Sequence, residues 1–417
     1  MKLLLKTQIF ILLALFSINS FGQFSLSGEF RPRTEFSHGY KSLASPDQEA
    51  SLFTAQRTRL NFDYKNDLYK VKLTLQDVRA WGSQKQLVSN EDFATSVHEA
   101  WAEVFFTEKI SLKAGRQELV YDDHRIFGSV GWANQARSHD VALLKFKLDC
   151  DVHIGFAYNE NTNRTNNFYD GPDAYKAMQF FHWNRKFEKL SASILFLNNG
   201  KAFADEVDSL GNVTAQGVQY SQTIGARLAY KAGKLGVAGY FYYQMGKDGT
   251  DTELSAYDAA LDLSYGVSDN LSFNAGFELL SGDDGTDDKN NSFTPFYGTN
   301  HKFNGFMDYF YVGQPGGFGL QDIYLKGKYK HGKMFFALHA HLLSTAVDIS
   351  EDFDKGLGTE IDFFCGYNLS KQANIKLGYS QMLGTESMEA IRGGSMDETS
   401  NWAWLMLTVK PTFFKSE

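Results

Sequence analysis

The chain has 417 residues, with 37 Gly, 6 Pro and 2 Cys, 15% aromatic and 22% charged. No stretch after residue 23 reaches ~18 uninterrupted apolar residues, which excludes a bundle of membrane helices. A net charge of −8 excludes the basic field of a nucleic-acid binder, and two cysteines are too few for a disulfide framework.

Residues 1–22 read as a secretory signal: Lys2 and Lys6 supply the positive start, Ile9 to Phe16 the apolar core, and Ser20-Phe21-Gly22 the small residues before Gln23. Removing it takes two lysines, leaving 39 basic against 49 acidic residues, a net of −10 for the mature chain. No linker or composition shift divides 23–417, so it is expected to form one domain.

Alternation then runs along the mature chain. In 57–64, Arg57, Arg59, Asn61 and Asp63 alternate with Thr58, Leu60, Phe62 and Tyr64. In 70–76, Lys70, Lys72, Thr74 and Gln76 oppose Val71, Leu73 and Leu75. Further on, Asp258 and Asp262 oppose Tyr257, Leu261, Leu263 and Tyr265, and Glu360 and Asp362 oppose Ile361 and Phe363. A period of two is the strand signal.

Short turns are expected at 65–67, 107–109, 149–151, 187–189, 232–234, 268–270, 330–333 and 369–371. Between them lie longer polar segments: 36–51, 81–93, 120–137, 160–174, 199–216, 246–252, 282–320, 346–356 and 385–399. Strict alternation of short turn and long loop is the pattern of an outer-membrane barrel, and this spacing predicts about eighteen antiparallel strands. Lipid demands that every strand edge be closed, which favours the barrel over a sandwich.

An Arg or Lys facing lipid at mid-depth costs ~2–4 kcal/mol, so charged faces must turn inward. The inward bases are then Arg31, Arg33, Arg57, Arg59, Lys70, Lys72, Lys113, Lys145, Arg227, Lys326, Lys328 and Lys376. The inward acids are Glu29, Asp63, Glu99, Glu103, Asp258, Asp262, Glu278, Asp322, Glu360 and Asp362. The lumen is slightly basic on this count, and rings of Arg and Lys select anions; pairing across strands in a wet interior is the alternative. Tyr64, Tyr230, Tyr265 and Trp402 are candidates for the interfacial girdles. Cys150 falls in a turn and Cys365 on the lipid face, so no bridge between them is expected.

The most specific local signal is Leu112-Lys113-Ala114-Gly115-Arg116-Gln117-Glu118-Leu119, followed by Tyr121-Asp122-Asp123, Arg125, Gly128, Trp132, Ala136-Arg137 and Asp140. A second is Asn304 to Phe310 with Gly319-Leu320-Gln321-Asp322. Over residues 24–414 the chain resembles the alginate-export domain family of outer-membrane barrels. That resemblance implies a monomeric eighteen-stranded barrel with an Arg-rich constriction for an anionic polyuronate. It would place Arg116, Arg125 and Arg137 at the constriction, with Asp122, Asp123 and Asp140 as their partners. Two departures stand out: nearly as many inward acids as bases, and a charged tail, Lys415-Ser416-Glu417, after Phe413-Phe414.

Other chemistry finds little support. His339 and His341 share a strand face, but no nucleophile–base–orienter set accompanies them and no further metal ligand is evident in sequence. The segment Asp283-Asp284-Gly285-Thr286-Asp287-Asp288 lacks the spacing and distal Glu of a calcium loop and reads as a solvated loop. The expectation is a non-enzymatic outer-membrane channel for anionic solutes, polyuronates or acidic oligosaccharides among them, working without cofactor or metal and embedded in outer-membrane lipid. A general diffusion porin with weak selectivity is the alternative, and an outer-membrane hydrolase the remoter one.

Overall fold

Eight tight reversals set the architecture, and several are written in local chemistry. Asn66 Oδ1 accepts from the N–H groups of Leu68 and Tyr69, and Thr107 Oγ1 from those of Lys109 and Ile110. Ser268 Oγ accepts from Asn270 and Leu271. Such side-chain bonds replace the ladder where the chain reverses. Gly332, at φ +55°, supplies the left-handed residue of another turn.

The computed structural model describes residues 22–87, 95–160, 175–310 and 317–416. Residues 1–21 of the expected signal segment and parts of the loops 81–93, 160–174 and 282–320 lie outside the described residues. In chain order the strands are β1 (Gln23–His38), β2 (Ser51–Lys65), β3 (Tyr69–Ala80), β4 (Thr95–Phe105), β5 (Ile110–Gln117), β6 (His139–Lys147) and β7 (Asp151–Tyr158). Next come β8 (Ala177–Lys186), β9 (Leu190–Val207), β10 (Val213–Ala232), β11 (Leu235–Lys247), β12 (Glu253–Gly266), β13 (Leu271–Leu280) and the two-residue β14 (Lys289–Asn290). The chain ends with β15 (Leu320–His331), β16 (Met334–Ser344), β17 (Gly356–Asn368), β18 (Ala373–Gly384), β19 (Ser400–Val409) and β20 (Thr412–Lys415).

Each long strand pairs antiparallel with the next, and β19 returns to β1, closing an eighteen-stranded barrel. β20 continues β19 past Lys410-Pro411 and stays on β1, with Phe414 against Phe24. Closure leaves no unpaired edge, the condition lipid imposes. The outward face carries large apolar side chains such as Leu261, Leu263, Leu338, Leu342, Phe363 and Leu405. The short turns occupy one end with the first and last described residues, the periplasmic end in a barrel of this kind.

Two expectations are corrected. The segment 199–216 is largely strand: β9 and β10 continue to Val207 and from Val213, leaving only a tip at 208–212. The ribbon projects past its neighbours, so its polar composition reflects water around strands, not a loop. Trp402 does not join an interfacial girdle. It points inward, 1% exposed, donating Nε1–H to Glu35 at 3.1 Å. The inward face of β19 is apolar because protein, not water, packs against it.

Candidate functional site

That protein is a pair of inner loops. The first, 118–138, joins β5 to β6; the second lies between β13 and β15, and its residues 293–310 fold into the lumen with the first. They meet where Phe127 bridges Tyr297, Gly128 N–H donates to Tyr297 O at 2.8 Å, and Thr299 N–H donates to His124 O at 2.9 Å. Asp122, His124, Val130 and Ala136 in the first loop, and Phe296, Asn304 and Asp308 in the second, adopt positive φ. A β-branched residue such as Val130 pays for that conformation, so surrounding contacts must hold it.

The contacts come from charged wall residues. Arg31 donates to the carbonyls of Gly131 (2.6 Å), Trp132 (3.0 Å) and Ala133 (3.1 Å), and Arg33 to Trp132 O at 2.7 Å. Arg57 reaches Gly131 O and Ala133 O while its Nε pairs with Glu29 at 2.7 Å. Arg59 donates to Gln76, whose own amide donates to Gln135 O. Trp132 completes the seat: the Arg33 guanidinium lies 4.2 Å over its ring, and Trp404 meets it edge-on at 4.8 Å. Opposite, the acidic wall grips the rest. Glu278 accepts from Asn304 at 2.6 Å, Glu360 from Met307 N–H at 2.7 Å, and Tyr309 donates to Gly39 O at 2.6 Å.

The three arginines expected at a constriction do not come together. Arg116 faces outward near the loop end of β5 and pairs with Asp140 across to β6 at 2.8 Å, both exposed. Arg125 is fully buried between Asp258 (3.0 Å) and Glu278 (2.9 Å). Those two carboxylates hold its guanidinium above the usual range, outweighing burial. Arg137 donates to Gly298 O at 3.0 Å, stitching one loop to the other. The expected partners divide likewise: Asp122 meets His182, and Asp123 meets Arg227 at 3.1 Å. Burial raises the Asp122 carboxyl, but His182 and Ser193 bring it below its ordinary value.

Beneath the loops, toward the short turns, the lumen stays open. One cavity of about 470 Å³ is lined by Arg31, Arg57, Lys302, Lys376 and Lys410 against a single acid, Glu29, and by Trp132, Trp404, Phe306 and Phe364. A second, of about 220 Å³, shares Lys302 with it, and a third, of about 940 Å³, shares Arg227 with the second. Lys376 forms no ion pair among the described residues; its ammonium lies 5.9 Å from the Phe335 ring. Lys302, on the second inner loop, donates to Asp123 O. Desolvation inside the barrel, with Arg227, Lys326 and Arg125 adding to it, holds its ammonium below the usual lysine range, against the pull of Asp123. Sequence alternation located Lys376; Lys302, Trp132 and Trp404 owe their roles to loop folding, which no period in the sequence encodes.

A closed lipid-facing barrel whose lumen is narrowed by its own loops is an outer-membrane channel. A family model described as alginate export matches residues 23–314. The chain belongs to the Alginate export family; Gly319 to Asp322 of the second motif lie beyond the matched residues. Solved barrels of Pseudomonas aeruginosa share the fold. OccD3 (OpdP) superposes with TM-score 0.62 at 11% identity, covering 94% of this chain and 92% of the other. OpdK solved with vanillate gives 0.60 at 11%, covering 93% and 99%. OccK11 (OpdR) gives 0.58 at 13%, covering 94% and 96%. No curated protein matches the sequence.

Proposed function

We propose that the protein is a monomeric, non-enzymatic channel for anionic solutes, with acidic sugars and polyuronates as the solute class. The observation that carries this reading is the 470 Å³ cavity, where five cationic side chains face one carboxylate beside four aromatic rings. Ammonium and guanidinium groups draw carboxylates, and aromatic faces suit the apolar faces of sugar rings. OpdK, a barrel of similar fold, was solved with vanillate, itself a carboxylate. The barrel closes within one chain, so a pore needs no second copy.

The test is planar-bilayer conductance of the purified barrel in a salt gradient, with polyuronate added as blocker. Wild-type protein should favour anions and be blocked. A unit charge at ~4 Å in water-like surroundings contributes about 1 kcal/mol, or about fivefold in local anion concentration. The Lys302→Gln/Lys376→Gln double variant should therefore lose several-fold in anion preference. Because the Lys302 ammonium is held low, anion preference should begin to fall on raising pH earlier than an ordinary lysine would allow. That early component should vanish in Lys302→Gln. Equal cation and anion permeability in wild type would replace this reading with the general diffusion porin.

A further inference from the structure

We infer that the barrel wall beneath the second inner loop holds a binding site for a borderline divalent transition-metal ion, Zn²⁺ in class, built from His339, His341 and Asp362. These residues lie on the inward faces of β16 and β17, with His339 directly opposite Asp362 and His341 opposite Glu360. Each offers one ligand atom, and the three atoms lie within 4.8 Å of one another. Zn–N bonds of ~2.0–2.1 Å place tetrahedral ligands roughly 3.3 Å apart, so small side-chain rotations close the set.

The hydrogen bonding points to a missing cation. His341 Nδ1 lies 2.8 Å from Asp322 Oδ2; a carboxylate there calls for the Nδ1–H tautomer, which leaves Nε2 as the ligand atom. A carboxylate behind a histidine is the usual support of a metal ligand. His339 Nδ1 and Asp362 Oδ2 are buried and reach no hydrogen-bond partner, and the same holds for Glu360 Oε2. Asp362 and Glu360 are 0% exposed, so both carboxylates are removed from bulk water. Two neighbouring buried carboxylates need a shared proton or a cation, since like charges in a low dielectric repel strongly. The imidazoles beside them give the kind of cation: Ca²⁺ and Mg²⁺ take oxygen sets, whereas imidazole suits Zn²⁺.

Access and enclosure are present. The His339 ring packs 5.3 Å from those of Phe306 and Phe364, and both rings also line the 470 Å³ cavity, which gives the ion an approach. Lys326, opposite His339, directs its ammonium over the Tyr324 ring at 4.2 Å. Glu360 is the further donor available for a fourth position. It also accepts from Met307 N–H, so an ion there would latch the second loop to the wall.

This site stands independently of the anion reading, and its test uses no conductance. Folded barrel, stripped with chelator and desalted, is titrated with Zn²⁺, and bound metal is counted by mass spectrometry; Co²⁺ serves as a spectroscopic probe. The expected result is one equivalent of Zn²⁺ per chain and a tetrahedral Co²⁺ spectrum with nitrogen ligation. His339→Gln and Asp362→Asn should each weaken binding at least tenfold, and Asp322→Asn, acting through His341, by ~10–100-fold. Heat-modifiability of each variant reports folding. Should the variants misfold, the wild-type titration decides alone. No stoichiometric uptake means the carboxylates share a proton, and overturns the site. Uptake undiminished in folded His339→Gln and Asp362→Asn overturns it as well, by placing the ion elsewhere.

Discussion

Arg125 shows how one side chain can be read correctly as important and wrongly as available. Its guanidinium is spent on Asp258 and Glu278, with nothing left for a solute. Arg125→Met would leave two buried carboxylates facing each other, a loss of the kind that costs ~3–5 kcal/mol. Thermal unfolding followed by circular dichroism should shift downward markedly, and adding Asp258→Asn should recover part of the loss; an unchanged midpoint would show that the ion triad is not structural. Arg116 teaches a different lesson. Lys113 faces inward over the Trp101 ring, so parity along β5 already turned Arg116 outward, and the motif resemblance overrode a signal present in the sequence. Arg137, by contrast, lies in a loop where no parity applies.

At the scale of elements the sequence was most legible where lipid disciplines it. Seven of the eight short turns fall where Asn, Asp, Ser, Thr or Gly interrupts the alternation, and the eighth where Glu188-Lys189 does, because a lipid-facing strand tolerates no charged outward residue at mid-depth. The misread 199–216 ribbon and Trp402 mark the limits: one strand pair leaves the membrane, and one inward face meets protein instead of water. The β3 register gives a direct check. Leu73 lies on the outward face, while Lys72 turns inward and pairs with Glu99 at 2.6 Å. Leu73→Arg should cost ~2–4 kcal/mol at mid-depth and reduce the folded, heat-modifiable fraction. Lys72→Leu should assemble with a smaller loss, since Glu99 keeps its bond from Trp101 Nε1–H at 3.0 Å. The reverse ranking would move the register by one residue.

For the whole molecule, inward charge does more than line a pore. The basic arc of β1 and β2 binds the carbonyls of residues 131–134, and the acidic arc from β12 to β17 binds Arg125, Asn304 and the Met307 N–H. The near balance of inward acids and bases, odd for a polyuronate pipe, follows once each arc is seen to anchor a loop. Sequence could count those charges but not say what they hold, because loop docking depends on contacts about 100 residues apart, as between Arg31 and Gly131. If the first loop is the gate, weakening its anchors should open it. Arg31→Gln/Arg57→Gln shortens the donor set while leaving Arg33 on Trp132 O. Each hydrogen bond to a charged group contributes ~1.5–3 kcal/mol, so losing even one net contact raises the open fraction about tenfold or more. Single-channel records should then show larger, noisier currents with weaker anion preference, since the freed loop widens the lumen and two cationic charges are gone. The same variant assembled to wild-type yield but with wild-type conductance would mean that the first loop is a fixed part of the wall, and that solutes pass beside it.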